Sequence, residues 1–388
     1  MRIAISGASG YIGQHLSSFL EGKGYDVIPL GRDLFKEDCF DELCRCVESC
    51  EVVINLAGAS INKRWTEAYK QELYDSRICV TRQLVHAINT RSVKLELFIS
   101  ASAVGYYPAF GEYDEYHDCR GMDFLARLCG AWEEEASACS SDVRLVITRF
   151  GVVLSEDGGA LKEMLRLQRF SRVSVVIGNG QQRFPWISLF DLCRSFGYII
   201  RNRQMRGVVN LVSPDLITQK QLAHTLARAD KIRRIIPLPK FFFRLKFGEG
   251  ASFVAKGQTV HPSKLQESGF TYIYPTIEKL MNITDHHTVP ELDVKRYMGR
   301  WYEIARYENH FERGMTDVTA TYTLLPDGKI RVENEGYKGG VHKKATGRAK
   351  QPDPKNNPGK LKVAFFLWFY ADYYILELDA DYQYAVIG

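Results

Sequence analysis

The chain has 388 residues, 45% of them apolar and 25% charged, with a formal net charge of +5. That composition excludes a mostly disordered chain, and the length suits two domains or a little more. The positive excess is too small and too scattered to argue for nucleic acid or an anionic membrane. No run of ~18 apolar residues is present, so no transmembrane segment is expected.

Structure is expected from the first residues. Arg2–Ser6 reads as a buried strand, followed by Gly7-Ala8-Ser9-Gly10-Tyr11-Ile12-Gly13 and an apolar stripe at Ile12, Leu16, Phe19 and Leu20 with helical spacing. This leaves no room for a signal peptide. The nine cysteines all lie between Cys39 and Cys193. An odd count without a leader suggests reduced thiols and a cytoplasmic protein. Cys39, Cys44, Cys46 and Cys50 lack the paired C-x2-C spacing of a zinc site, so they read as packing or surface thiols and no metal is expected.

Further strands are expected at Val27–Leu30, Val52–Leu56, Leu97–Ser100 and Leu145–Thr148, with helices at Trp65–Asn89 and Phe124–Ala138 among those between them. Strands alternating with helices predict an α/β fold: a doubly wound, Rossmann-type parallel sheet covered on both faces.

The glycine loop carries the first chemical signal. Gly7 permits a tight turn, Gly10 lets the backbone approach a pyrophosphate, and Gly13 allows close helix–strand packing. Free N–H groups at the helix start would hold the phosphates. The second strand ends Leu30-Gly31-Arg32-Asp33. An acidic residue there favours NAD, whereas an arginine accommodates the 2′-phosphate of NADP. Arg32 comes first, Gly31 leaves space beside it, and Arg77 is a candidate second cation. NADP(H) is therefore expected, with Asp33 keeping NAD open.

Several motifs occur in order: Gly7-x-x-Gly10-x-x-Gly13, Asn55-Leu56-Ala57-Gly58, Arg64-Trp65-Thr66, Asp75-Ser76-Arg77, Ser102-Ala103-Val104-Gly105-Tyr106-Tyr107, Trp132-Glu133, Arg149 to Leu154, Pro185-Trp186-Ile187 and His261-Pro262. Together residues 1–283 resemble the NAD(P)-dependent epimerase-like family of atypical extended short-chain dehydrogenases/reductases. The resemblance implies a Rossmann core with NADP(H) and a small substrate lobe after about residue 155. It implies cofactor contacts at Gly7, Gly10, Tyr11, Ile12, Gly13, Gly31, Arg32, Leu56, Ala57, Glu72, Arg77 and Val153.

The catalytic pattern departs from that class. Its Tyr-x-x-x-Lys places both side chains on one helix face, so the lysine can lower the tyrosine pKa. Here the helix reads Phe124-Leu125-Ala126-Arg127-Leu128-Cys129, with neither residue. Ser102 and Tyr106 are the candidate catalytic substitutes. Ser100 and Tyr107 lie beside them; Glu133 reads as a helix salt bridge and Cys129 as a buried thiol. Arg183, in a glycine-rich loop, is a candidate phosphate contact or a surface residue. A small-molecule substrate of carbonyl or sugar type is expected.

Residues 284–290 read as a linker. Residues 284–388 hold 16 of the 47 aromatic residues in 105 positions, and seven strands with period-2 patterning are expected between Arg300–Tyr307 and Gln383–Ile387. Gly299-Arg300-Trp301-Tyr302, Phe311-Glu312-Arg313-Gly314 and Val318-Thr319-Ala320-Thr321-Tyr322 resemble a bacterial lipocalin over residues 291–388. That implies an antiparallel barrel, here lacking its last strand and helix, with Trp301 packing its closed end. The ligand implied is a fatty acid or lysophospholipid. Three readings follow: an NADP(H)-dependent epimerase or oxidoreductase, an inactive NADP(H) sensor, and a lipid carrier.

Overall fold

A computed structural model describes residues 1–92, 95–239, 241–242, 248, 257–281, 288–306, 314–354, 357–366 and 369–388. The chain divides into two compact units, Met1–Met281 and Asn282–Gly388.

The first unit is built on a six-stranded parallel sheet. Its strands are β1 (Arg2–Ser6), β2 (Asp26–Leu30), β3 (Val52–Asn55), β4 (Leu97–Ala103), β6 (Arg144–Phe150) and β10 (Gly207–Leu211), in the order β10-β6-β4-β3-β1-β2. Successive side chains on a strand point to opposite faces. Ile3 and Ile5 therefore face α1 (Tyr11–Glu21) and α6 (Leu189–Arg201), meeting Leu16, Leu20, Leu192 and Phe196. Ala4, Val53 and Phe98 face the other way, onto Leu43 and Val47 of α2 (Phe40–Glu48) and Leu84 and Ile88 of α3 (Glu67–Thr90). Both faces are buried, as a doubly wound sheet requires.

The sequence reading lacks one strand of this sheet. Residues Gly207–Leu211 offer only a short apolar run interrupted by Asn210, and their strand forms against β6. Two neighbours are longer than expected: β4 runs on to Ala103, and β6 spans Arg144–Phe150.

The remaining elements form a smaller lobe. It includes β5 (Glu112–Tyr113) paired with β12 (Thr259–Val260), β7 (Val152–Ser155) with β9 (Trp186–Ser188), and β8 (Val173–Ile177) with β11 (Arg234–Leu238). Helices α5 (Gly159–Ser171) and α7 (Gln219–Ala229) supply Leu161, Leu165, Leu222 and Leu226 to a core around Trp186. Helix α4 (Phe124–Ser137) begins on an Asp123 side chain that accepts from the Ala126 amide at 3.0 Å.

The second unit is a seven-stranded antiparallel sheet in strict chain order. Its strands are β13 (Gly299–Tyr302), β14 (Met315–Leu324), β15 (Ile330–Lys338), β16 (Val341–Lys350), β17 (Lys360–Phe366), β18 (Phe369–Leu378) and β19 (Ala385–Ile387). One face is buried, carrying Tyr322, Ile330, Val332, Ala349, Leu361, Val363 and Ile375. Among the described residues β13 and β19 do not pair, so the sheet is a curled half-barrel.

β13 is shorter than its pattern suggests. It ends at Tyr302, and Arg306 turns back to Glu303 at 2.8 Å and to the Met315 carbonyl at 2.7 Å. Trp301 packs on Tyr297 at 4.9 Å and donates its indole N–H to the Tyr297 carbonyl at 3.0 Å. Tyr307, Phe311-Glu312-Arg313 and linker positions 284–287 lie outside the described residues.

Candidate functional site

The strand–loop–helix unit after β1 is shaped by backbone proximity. Gly7 has φ 74°, and a Cβ there would lie 2.8 Å from the Leu56 carbonyl and 2.9 Å from the Ala57 amide. A Cβ on Gly13 would lie 2.2 Å from the Gly7 oxygen. Neither position admits a side chain. Gly10 is the N-cap of α1; no side chain caps this helix end and no acid lies in its first turn. Its first-turn amides and the positive end of the helix dipole are therefore available to an anion.

A buried polar chain runs alongside this loop. Ser6 donates to Asn55 Oδ1 at 2.6 Å, and Asn55 Nδ2 donates to Thr81 Oγ1 at 2.8 Å. Thr81 Oγ1 donates to the Arg77 carbonyl at 2.6 Å and accepts from Trp132 Nε1 at 2.9 Å. The chain ties β1, β3, α3 and α4 together at one point. Buried polar groups specify a unique arrangement only when satisfied in this way.

Arg77 serves the same region from above. Its guanidinium donates to the Leu73 carbonyl at 3.1 Å and the Ala59 carbonyl at 2.9 Å, and lies 5.3 Å from the Trp132 ring. A Cβ on Gly58 would come within 2.9 Å of it. Burial holds its pKa below the usual arginine value. In this geometry Arg77 fixes the Leu56–Ala59 turn and spends two nitrogens on main-chain oxygens.

Arg32 stands differently. It is exposed, follows a Gly31 with open space around it, and has no hydrogen-bond or ion-pair partner among the described residues. Asp33 is engaged by Lys36 at 2.5 Å, which lowers its carboxyl pKa. Glu72 is exposed on α3, Val153 is half-buried on β7, and Ile12 packs against the sheet core. Tyr11 closes on Gly158, where a Cβ would lie 2.2 Å from its ring.

The carboxyl end of β4 holds a second cluster. Ser102 donates to Glu133 Oε1 at 2.6 Å. Arg149 clamps the same carboxylate with two nitrogens, at 2.8 and 2.7 Å. All three residues are buried, with Arg149 only 4% exposed. Glu133 thus forms a salt bridge from its helix across to β6. The Arg149 guanidinium carbon lies 3.5 Å from the Tyr106 ring centroid and 4.7 Å from that of Tyr107.

Tyr106 is half-buried. Burial raises its phenol pKa and the Arg149 charge opposes that rise; its hydroxyl donates to Asp118 at 3.2 Å. Tyr107 is buried, its hydroxyl within 2.9 Å of the Asp114 carbonyl and 3.1 Å of Asn210 Oδ1. Ser100 is buried with an unpartnered hydroxyl. Cys129 is buried and its thiol is pushed up to about 12, chiefly by desolvation, so it remains protonated.

The sequence model of the NAD dependent epimerase/dehydratase family matches residues 3–211. The chain belongs to this family. A domain of unknown function, DUF1731, matches residues 238–282, and a lipocalin-like domain matches residues 292–388. An epimerase family protein of Staphylococcus haemolyticus is 35% identical over 286 residues, covering 71% of this chain and 95% of that protein. The chloroplastic SDR39U1 homolog of Arabidopsis thaliana is 33% identical over 297 residues, covering 72% and 85% respectively. The crystal structure of human epimerase family protein SDR39U1 (isoform 2) with NADPH superposes with a TM-score of 0.67 at 32% identity, covering 73% of this chain and 98% of that one. A dTDP-4-dehydrorhamnose reductase of Clostridium acetobutylicum shares the fold, with a TM-score of 0.60 at 19% identity over 74% of this chain and 99% of that one.

Arg183 donates to the Leu216 carbonyl at 3.0 Å, a loop contact within the small lobe. The nine cysteines are unpaired, and no group of metal ligands forms among the described residues. Sequence reasoning did not single out Arg149, although the signal was present. An arginine inside the apolar run Leu145–Phe150 reads as buried, and a buried guanidinium needs acceptors, a carboxylate at Arg149 and carbonyls at Arg77. Also among the described residues, no helix is long and apolar enough to cross a membrane.

Proposed function

We propose that the first unit is an NADP(H)-dependent epimerase or oxidoreductase acting on a carbonyl or sugar-type small molecule. The observation that carries the cofactor choice is the state of the β2 terminus. Arg32 has no ion-pair partner among the described residues and follows an open Gly31, while Asp33 is taken by Lys36. A ribose 2′-phosphate suits the first, and a ribose hydroxyl would need the second. The first turn of α1 and the Gly7–Gly13 loop would hold the pyrophosphate. Arg77 supports the site by fixing the Leu56–Ala59 turn.

Bound NADPH supplies the hydride. The proton falls to Tyr106 rather than to Ser102. Both hydroxyls donate to a carboxylate, Ser102 to Glu133 at 2.6 Å and Tyr106 to Asp118 at 3.2 Å, but Ser102 is buried. Tyr106 is partly accessible and lies on the Arg149 guanidinium. That positive charge opposes the rise that burial imposes on the phenol pKa, as a lysine would in a Tyr-x-x-x-Lys pair. Glu133 and Ser102 hold Arg149 in place. The unpaired state of all nine thiols supports a reducing compartment, and we place the protein in the cytoplasm.

The test is a fluorescence titration with NADPH and with NADH, on the natural chain and on Arg32→Ala. NADPH affinity should fall about 10- to 100-fold in the variant, the size of one charged hydrogen bond, with NADH unchanged. Equal binding of both cofactors would sink the assignment. Turnover of a carbonyl panel, lost in Tyr106→Phe, supports catalysis; NADPH binding without turnover of any member favours a cofactor sensor.

A second reading concerns the half-barrel. Its buried face clusters Ile330, Val332, Leu361, Val363 and Ile375 beside the linked Tyr297, Tyr322 and Tyr373 hydroxyls, which supports a fatty acid or lysophospholipid as ligand. Saturable uptake of a fluorescent fatty acid by the full chain, competed by lysophospholipid, tests it.

A further inference from the structure

We infer that the small lobe of the first unit carries a docking surface for membranes containing anionic phospholipid. An open cleft of about 320 Å³ is lined by Ser171, Arg172, Lys231, Ile232, Arg233 and Arg234. Four of these six residues are cations. All four are exposed, and none has a hydrogen bond or ion pair through its side chain among the described residues. The carboxylate next in sequence, Asp230, is taken by Arg169 at 3.0 Å and Gln168 at 2.8 Å. The small charge of the whole chain hides this local excess.

The fold explains the concentration. α5 leads into β8 through Arg172, and α7 leads into β11 through Asp230 to Arg233. Because β8 and β11 are parallel, with Arg234 opposite Val173, both connections reach the same edge of the pair. Arg172 and Lys231 have φ 56° and 54°, a conformation that glycine adopts with less strain at a helix end. The chain carries a cation at both positions.

The apolar neighbours decide the kind of partner. Phe170 is 90% exposed and Leu167 59% exposed. They lie three residues apart on α5, on the helix face shared with Ser171 of the cleft. On β11, Ile236 is 45% exposed and points to the same side as Arg234. Cations around a cleft with protruding phenylalanine, leucine and isoleucine match a bilayer interface: phosphates meet the cations and acyl chains meet the apolar tips. Single-stranded nucleic acid would use a series of stacked aromatics, whereas here Phe170 stands beside the aliphatic Leu167 and Ile236.

The experiment is co-sedimentation of the full chain with phosphatidylcholine vesicles, with and without phosphatidylglycerol. Binding should require phosphatidylglycerol and weaken steeply from about 0.1 M to about 1 M salt. The Arg233→Ala/Arg234→Ala variant should bind about 30-fold more weakly, from roughly a factor of five per cation. Phe170→Ser should bind more weakly while keeping the salt dependence. All three side chains are exposed, and an unchanged melting temperature confirms the fold. Equal binding to both vesicle types, equal binding by the double variant, no binding to either vesicle, or binding to a single-stranded RNA alone would each overturn the inference.

Discussion

The buried carboxylate of Glu133, on α4 facing the end of β4, makes the sharpest test of how this core is held. Glu133→Gln keeps the shape and the Ser102 hydrogen bond but removes the charge that faces Arg149. The guanidinium would be left buried and unpaired, a change that costs about 3–5 kcal/mol when one partner of such a pair is removed. Two observations temper that figure. The guanidinium sits 3.5 Å from the Tyr106 ring and 4.7 Å from the Tyr107 ring. Cation–π contact offsets about 0.5–2 kcal/mol. A net loss of about 1–4.5 kcal/mol remains, or roughly 5- to 2,000-fold in the opening equilibrium.

Hydrogen exchange of peptides covering β4, α4 and β6 reads that opening locally, without assuming that both units unfold together. The double variant Glu133→Gln/Arg149→Met removes the stranded charge and should recover most of the protection. A single-variant effect below about 1 kcal/mol, or a double variant as labile as the single, would refute the reasoning.

Other outcomes follow from distances already given. Gly13→Ala forces a methyl against the Gly7 oxygen; we expect a loss of about 1–3 kcal/mol and of NADPH binding, read by thermal melting and titration. Tyr373→Phe removes the hydroxyl that joins Tyr297 at 3.0 Å and Tyr322 at 2.8 Å, leaving two buried hydroxyls without that partner. A loss of about 1–3 kcal/mol in the half-barrel should appear as faster exchange in β14 and β18. With iodoacetamide near neutral pH, exposed Cys79 and Cys119 should react in the native protein. Cys129 and Cys193, each buried and pushed up to about 12, should react only after unfolding, which peptide mass mapping can follow.

Much of the architecture was legible because it rests on local rules. Gly7 and Gly13 face backbone within 3 Å, so the motif read from their spacing reflects a steric requirement. The seven strands of the half-barrel alternate along one exposed and one buried face, and that period is visible in one sequence. What was not legible depends on partners distant in the chain. Glu133 and Arg149 meet between a helix and a strand, with no periodicity to link them. Asn210 interrupts β10 because its side chain serves Tyr107 and the His261 carbonyl, 103 and 51 residues away. Arg77 looked like a phosphate ligand, and only the carbonyls of Leu73 and Ala59 reveal its other task.

The two sheets impose different schedules on a growing chain. Each strand of the half-barrel pairs with its chain neighbour, so it can zip hairpin by hairpin, in about 1–10 μs per step. The parallel sheet cannot work this way. Leu16 and Leu20 of α1 are covered by Leu192 and Phe196 of α6, made some 170 residues later. At about 5–20 residues per second, those leucines wait on the order of 10 s for their native cover. The nascent cofactor-binding unit is therefore the aggregation-prone part of this protein, and the stage at which a chaperone would matter most.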